Sequence, residues 1–257
     1  MNNVFKRLYN YRELLKTSVS KEIRGKYKNS FLGVLWSFLS PLLQIGVYAL
    51  IFPLIMDTDS NYVIFLVCGL IPWLFFSNAI NKAAFTVIEN AGIIKKVFFP
   101  REILPISVVT SECVNFIIST VIILGFILFT GYGFTWQIVF YPLILFVQYV
   151  ITLGIAFFLS AITAYVRDLA HFVGVALQLL FYATPICYAS GKIPADYQWI
   201  MNINPMAHII NGYRAIFYDK VVPNMGELGI LLGIGVALCI VGYIVFNKLQ
   251  KGFAEQL

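Results

Sequence analysis

Long uncharged apolar runs constrain this chain more than any other feature of its sequence. Several of them exceed the length of about 18 residues at which an apolar segment is expected to cross a membrane as a helix. Of its 257 residues, 60% are apolar and 12% are charged, whereas soluble domains carry roughly 25% charged residues. The runs do not alternate as the strands of a membrane barrel would. We therefore predict an all-α polytopic membrane protein.

Breaks between the apolar runs predict six transmembrane helices. The apolar stretch from Ile103 to Val166 is too long for one crossing, and Gly131 and Gly133 are its natural break, because glycines end helices at little cost. The six predicted spans cover residues 31–56, 61–84, 105–130, 137–164, 169–188 and 228–247.

Three further segments are not predicted to cross. Residues 1–30 combine apolar positions at near-helical spacing with many basic residues, which is typical of an amphipathic interface helix in the membrane surface. Residues 89–101 form a basic connection around two adjacent phenylalanines. Residues 195–218 are too polar to cross and too apolar for an ordinary loop, so we predict short re-entrant helices in the outer leaflet between the fifth and sixth spans.

The distribution of basic residues predicts the orientation. With six spans both termini share one side, and that side receives the N-terminal arm, the C-terminal lysines and the second connection with Lys82, Lys95, Lys96 and Arg101. The opposite side carries Lys192, Arg214 and Lys220. Because cytoplasmic loops are enriched in lysine and arginine, both termini are predicted to be cytoplasmic.

The sequence offers no set of residues suited to catalysis. The two histidines, His171 and His208, fall on opposite sides of the membrane in this topology, and the four cysteines lack metal or redox spacing. The phosphate-binding motif G-x-x-x-x-G-K-[ST] is absent, so we expect a chain that is not an enzyme and does not hydrolyse ATP. Glu112 is the one acid well inside a span; it is either functional or a group that snorkels toward the cytoplasmic end of its helix.

Aromatic residues are numerous, with 23 Phe and 15 Tyr. Flat rings stack on sugar faces and tyrosine hydroxyls bind their polar edges, so rings near the prolines of the first and fifth spans are candidates for lining a polysaccharide path. An interfacial aromatic belt is the alternative for each of them. The candidate channel residues are Trp36, Phe38, Tyr48, Phe181, Tyr182 and Tyr188.

Five segments resemble signatures of the permease subunits of ABC-2 type polysaccharide exporters. The opening segment reads KEIRGKYKNSFLGVLWS from Lys21 to Ser37 and is followed by Pro41-Leu42. Four later segments are similar to family signatures, in order and at family spacing: IIKKVFFPR (93–101), YVRDL (165–169), YATPI (182–186) and NPM (204–206). The O-antigen members look closest, from the first of these four and the C-terminal FAEQL (253–257).

This resemblance implies the permease subunit of an ATP-driven exporter in the bacterial inner membrane. The implied cargo is a lipid-linked polysaccharide, in the first place O-antigen; teichoic acid, capsule, a drug or a lipid are the alternatives. It also implies a homodimer, surrounded by membrane lipids, that pairs with two ABC ATPase subunits. Those subunits would bind ATP and Mg, while this chain would hold no cofactor or metal and, despite its net charge of +6, no nucleic acid. Two other functions are less consistent with the sequence. A membrane-bound transferase would need a convergent His/Asp or Asp/Asp site, which the sequence does not offer, and a passive channel would have no use for the basic connection at residues 89–101.

The resemblance also implies roles for individual residues. Residues 89–101 would be the coupling helix that seats in the ATPase, with a solvated basic loop as the alternative; its contact residues would be Glu89, Lys95, Lys96, Phe98, Phe99 and Arg101. Arg24, Lys26 and Lys28 would attract the lipid pyrophosphate or, equally, anchor the cytoplasmic face. Arg167 and Asp168 would form a structural pair at the cytoplasmic mouth. The first and fifth spans would line a channel at the dimer interface, and residues 195–218 would gate its outer end.

Overall fold

The computed structural model describes residues 9–27, 31–55 and 61–256, which form helices and contain no strand. Five helices are long and apolar enough to cross a membrane, which confirms the prediction of an all-α polytopic membrane protein. The α-helices are α1 (Arg12–Tyr27), α2 (Trp36–Ile55), α3 (Tyr62–Glu89), α4 (Ala91–Ile94), α5 (Ile103–Phe129), α6 (Tyr141–Thr163), α7 (Asp168–Ala183), α8 (Gln198–Ile203), α9 (Pro205–Arg214), α10 (Met225–Leu249) and α11 (Phe253–Gln256).

The helix at the position of the predicted fifth span is shorter than the others. α7 has 16 residues, and at about 1.5 Å per residue it falls short of a hydrocarbon core of roughly 30 Å. The long apolar helices are α2, α3, α5, α6 and α10. A sixth crossing through α7 and the turns after it therefore stays a prediction.

The turn between α5 and α6 depends on two glycines. Gly131 has a φ of 67° and Gly133 a φ of 78°, a left-handed region that residues with a Cβ rarely adopt. The chain can therefore reverse directly after α5 and return as α6, which begins at Tyr141 after a 3-10 helix of five residues.

α3 lies at the centre of the bundle and contacts α2, α5, α6, α7 and α9. A buried polar network ties it to two of these neighbours. The Gln148 side chain on α6 donates to the Pro72 carbonyl at 2.8 Å, and the Tyr213 hydroxyl on α9 donates to Gln148 Oε1 at 2.9 Å. Both ends of the Gln148 amide are thus paired, which is what makes a fully buried amide tolerable.

α10 packs against α6 at very close range because glycines face each other. A Cβ at Gly242 would lie 2.5 Å from the Gly154 carbonyl oxygen, and a Cβ at Gly154 would lie 2.7 Å from the backbone nitrogen of Cys239. Small residues at such positions allow helix backbones in membranes to approach closely. The contact therefore tolerates no side chain at either glycine without a shift of the helices.

One end of the bundle, which we call the basic end, gathers the connection at residues 95–101 and the C-terminal turns. Arg101 donates to the Gln250 carbonyl and its guanidinium lies 5.9 Å from the centre of the buried Phe253 ring. The Tyr165 hydroxyl donates to the Leu249 carbonyl at 2.8 Å. These contacts fold the C-terminal segment back onto the connections between helices.

The opposite end contains α8, α9 and a π-helical turn over Ala215–Asp219, which together run from Gln198 to Asp219 and largely coincide with the predicted segment 195–218. Arg214 is buried there and donates to the carbonyls of Pro185 at 2.6 Å and Ile186 at 2.8 Å. Its guanidinium also lies 3.5 Å from the centre of the Phe65 ring on α3. Arg214 therefore joins α9 to α3 and to the turns that follow α7.

Candidate functional site

A polar cavity of about 520 Å³ lies between α2, α3 and α5. Along α3 its lining runs from Glu89, at the basic end, to Ile71 near the middle of the helix. The cavity therefore penetrates the helical bundle from the basic end. Its polar lining residues are Ser37, Ser40, Gln44, Asn78, Asn81, Lys82, Glu89, Glu112, Asn115 and Ser119.

This cavity was not among the sequence predictions, although the spacing of the polar residues that line it is visible in the sequence. Residues three or four apart share one face of a helix, and polar residues recur at that spacing on all three helices. The three polar stripes are Ser37-Ser40-Gln44 on α2, Asn78-Asn81-Lys82 on α3 and Glu112-Asn115-Ser119 on α5. Each stripe lies within an otherwise apolar span. Polar residues at helical spacing in such a span were the one sign in the sequence that these helices face a polar cavity.

An ion pair crosses the cavity wall from α3 to α5. Lys82 Nζ lies 2.6 Å from Glu112 Oε1, with the lysine side chain 35% and the glutamate side chain 2% exposed. The Asn115 amide donates to Glu112 Oε2 at 3.4 Å. The carboxylate is therefore paired inside the bundle and does not snorkel toward the basic end of its helix.

The position of Lys82 corrects one step of the sequence analysis. We expected the second span to end at residue 84 and counted Lys82 with the basic connection, but α3 continues to Glu89 and Lys82 lies within it. Its charge is compensated by Glu112, which is why a lysine is compatible with a span. The other basic residues counted in that connection, Lys95, Lys96 and Arg101, do follow α3.

Four of the six predicted channel residues come together where α2 meets α7. The ring centres of Tyr48 and Phe181 are 5.7 Å apart, and those of Phe181 and Tyr182 are 5.3 Å apart. The Tyr188 hydroxyl donates to the Tyr182 carbonyl at 2.7 Å. Trp73 of α3, which the sequence did not single out, adds a ring 5.8 Å from Phe181. We call these five residues the aromatic group.

The other two predicted channel residues lie elsewhere. Trp36 begins α2 at the basic end and lines the polar cavity, whereas Phe38 packs against the main core. Tyr182 is the member of the aromatic group with the most exposed side chain, at 62%. The first and fifth predicted spans thus share one ring cluster rather than an aromatic lining along their whole length.

The predicted coupling segment contains a short helix followed by a turn and an irregular stretch. α4 covers Ala91–Ile94 only, and Lys95 and Lys96 follow it in an exposed turn. The next residues, up to Pro100, form no regular secondary structure, in keeping with the bias of the residue before a proline away from α conformation. A continuous helix over residues 89–101 is therefore not present.

The two adjacent phenylalanines of this segment have different environments. Phe98 is 95% exposed, whereas Phe99 packs against a buried cluster that includes Val87, Ile94 and Leu104. Arg101, predicted as a charged rim residue, bonds to the C-terminal turn instead. Glu89 ends α3 and lines the mouth of the polar cavity.

The remaining predicted residues lie at or near the basic end. Arg24 is exposed on α1, which packs against α5. Arg167 and Asp168 are exposed where α7 begins. Lys28 and the side chain of Lys26 lie outside the described residues, so the predicted trio cannot be placed as a set.

The model of the ABC-2 type transporter family matches residues 13–218, most of the chain, including the cavity and the aromatic group. The chain belongs to this family. ABC-2 transporters are membrane transport proteins, and the spans of this one confirm a multi-pass membrane protein.

Relatives of this ABC-2 transporter include proteins named for O-antigen export and for polysialic acid transport. An O-antigen export system permease protein RfbA of Klebsiella pneumoniae is 38% identical over 250 residues, which cover 95% of each chain. The protein of the same name in Myxococcus xanthus is 34% identical over 260 residues and the full length of both chains. A polysialic acid transport protein KpsM of Escherichia coli is 26% identical over 221 residues, which cover 82% of each chain.

Proposed function

We propose that this chain is the permease subunit of an ATP-driven exporter of lipid-linked polysaccharide of the O-antigen type. The observation that carries the proposal is full-length similarity, at 34% and 38% identity, to proteins named O-antigen export permeases. The relative named for polysialic acid transport is less similar, at 26% identity. Capsule and teichoic acid are therefore the second choice of cargo, and a drug or a lipid is the third.

The exporter would be a homodimer in the bacterial inner membrane with both termini in the cytoplasm. The exposure of α2 and α7 supports this arrangement: Ser37, Pro41 and Ile45 are the buried residues of α2, and α7 exposes Phe172, Val175, Leu179 and Tyr182 along one face. A second copy covering these helices would place two aromatic groups around one path. Rings suit such a path because they contact sugar faces without binding them at fixed sites.

Energy would come from two partner ABC ATPase subunits, which would bind ATP and Mg. The exposed Phe98, flanked by the exposed Lys95 and Lys96, fits the role of an anchor at that contact, because a large exposed apolar side chain with a charged rim is typical of interfaces. Closure of the ATPase dimer would move this segment, and with it the helices that end beside it.

Deletion of the gene tests the proposal. We expect surface polysaccharide to disappear and lipid-linked polymer to accumulate inside the cell, with recovery when the chain is supplied from a plasmid. Chemical analysis of the retained polymer distinguishes O-antigen from capsule or teichoic acid. A partner ATPase with a substituted P-loop lysine serves as the matched control and should give the same retention. Unchanged surface polymer in the deletion strain would contradict the proposal.

A further inference from the structure

The polar cavity contains amides where a membrane span normally presents apolar side chains. Asn78 and Asn81 are exposed on α3 and line the cavity, and Gln44 is exposed across from them on α2. A lipid tail in this space would offer the amides no hydrogen bond, which is costly in a membrane interior. The contents of the cavity must therefore be polar.

The charges of the lining disfavour an anionic ligand. Lys82 is the cavity's lysine and is already paired with Glu112, and Glu89 adds a second carboxylate at the mouth. A phosphate group would be repelled by the carboxylates of Glu89 and Glu112, and the ammonium group of Lys82 is already neutralised by its ion pair. The Lys82–Glu112 pair thus leaves the deeper part of the cavity without net charge.

The neutral lining groups match the chemistry of a sugar. Amides and hydroxyls both donate and accept hydrogen bonds, as sugar hydroxyls require of their partners. Two rings beside them, Trp36 and Phe85, add apolar surface for the carbon-bound face of a sugar, whereas Phe75 and Phe116 in the same lining are buried and stack on each other. The volume of about 520 Å³ lies within the ordinary range of small-molecule sites, roughly 300–1,000 Å³.

We propose that the cavity between α2, α3 and α5 binds neutral sugar units of the transported polymer within a single subunit. The inference rests on the proposed function, because that function makes the cargo a saccharide. The site is separate from the aromatic group around Tyr48 and Phe181. It opens at the basic end, from which export would begin, so sugar would occupy it before it reaches the rings.

Cysteine labelling tests whether water reaches the site. Asn81→Cys is compared with Ile240→Cys, an exposed position on α10 at a similar distance from the basic end of its own helix. Both variants are made in the full complex with its ATPase. Labelling of the unsubstituted protein measures the reaction of the four native cysteines and is subtracted. The probe is a charged, membrane-impermeant maleimide applied to vesicles that expose the basic end. We expect Asn81→Cys to react about tenfold faster, since a thiolate forms only where water solvates it; equal rates would overturn the proposal.

The second measurement tests the ligand. Labelling of Asn81→Cys is followed in membranes from cells that make the lipid-linked polymer and from cells that lack its first glycosyltransferase, with the partner ATPase inactivated so that cargo stays bound. We expect the polymer to slow labelling about fivefold, as for a site that is four-fifths occupied. Val166→Cys, exposed at the basic end, should label equally in both membranes. No protection of Asn81→Cys, or equal protection by a sugar-free lipid pyrophosphate, would overturn the proposal.

A functional variant separates this inference from the proposed function. Asn78→Leu with Asn81→Leu should reduce export while membrane level and ATPase co-purification stay normal. If the gene deletion leaves surface polymer unchanged, the proposed function fails. If the deletion stops export but the double variant exports normally and polymer does not protect Asn81→Cys, the sugar site alone fails.

Discussion

Lys82 Nζ and Glu112 Oε1 lie 2.6 Å apart and join α3 to α5 inside the bundle. Removing one partner leaves the other charge in a place where water solvates it poorly. We expect Lys82→Met to lower the free energy of unfolding by roughly 2–3 kcal/mol, somewhat less than the ~3–5 kcal/mol of fully buried pairs because the lysine is partly exposed. Denaturation of the purified protein in a mild detergent measures the change.

The double variant Lys82→Met with Glu112→Gln is the control for this prediction. It removes both charges together, so its stability should lie closer to that of the unsubstituted protein than to that of Lys82→Met. Additive losses from the two substitutions would mean that the two side chains do not act as a pair.

Phe98 and Phe99 should respond differently to truncation. Phe98→Ala removes an exposed ring, so we expect weaker co-purification of the ATPase and an unchanged unfolding temperature. Phe99→Ala removes a ring that packs on a buried cluster, and should cost roughly 1–3 kcal/mol, below the ~3–5 kcal/mol of a fully buried phenylalanine. Affinity purification and thermal unfolding of the two single variants separate the effects. If Phe98→Ala lowers the unfolding temperature but still co-purifies with the ATPase as well as the unsubstituted protein does, Phe98 is a structural residue and not the ATPase contact.

Tyr182 offers a test of the aromatic group in transport. Because its side chain is largely exposed, Tyr182→Ala should leave the fold and the ATPase contact intact. We expect export to fall by about tenfold, which corresponds to the loss of ~1.4 kcal/mol of aromatic contact. Tyr182→Phe keeps the ring and should export nearly normally. Surface polymer measured over time checks both variants, and normal export by Tyr182→Ala would remove this ring from the path.

Gly242 and Gly233 provide a matched pair on α10. A Cβ at Gly242 would meet the Gly154 carbonyl at 2.5 Å, whereas a Cβ at Gly233 meets nothing within 4 Å. We expect Gly242→Ala to lower the unfolding temperature. Gly233→Ala should leave the temperature unchanged or raise it, since alanine favours a helix by up to about 1 kcal/mol over glycine. Equal behaviour of the two variants would show that the close packing of α6 and α10 is not needed for stability.

The sequence predicted the helical class and several long apolar helices because both depend on apolar length alone. The ends of helices also depend on contacts with other elements, which the local sequence pattern does not show. α3 continues five residues beyond the predicted end of the second span, and Lys82, which was counted with the basic connection, lies within this helix beside its partner Glu112 on α5. α7 has 16 residues because the apolar residues after Ala183 form turns, with the carbonyls of Pro185 and Ile186 bonded to Arg214.

The candidate site was predicted only in part, for a similar reason. Tyr48, Phe181, Tyr182 and Tyr188 were selected by residue type and do lie together. Trp36 was selected by the same criterion but faces the polar cavity. Which rings meet depends on how α2, α3 and α7 are rotated about their axes, and a pattern within one helix does not report the rotation of its neighbours.

The glycine contact between α6 and α10 has a consequence for biosynthesis. The two helices are separated in the chain by α7 and the whole segment that contains α8 and α9, so α6 leaves the translocon long before its partner has been translated. During that interval Gly154 lacks the helix against which it packs in the folded protein. A chain that ends after α9 would therefore expose in the bilayer the glycine face of α6 that α10 normally covers. Quality-control factors could recognise this exposed face as a mark of incomplete synthesis.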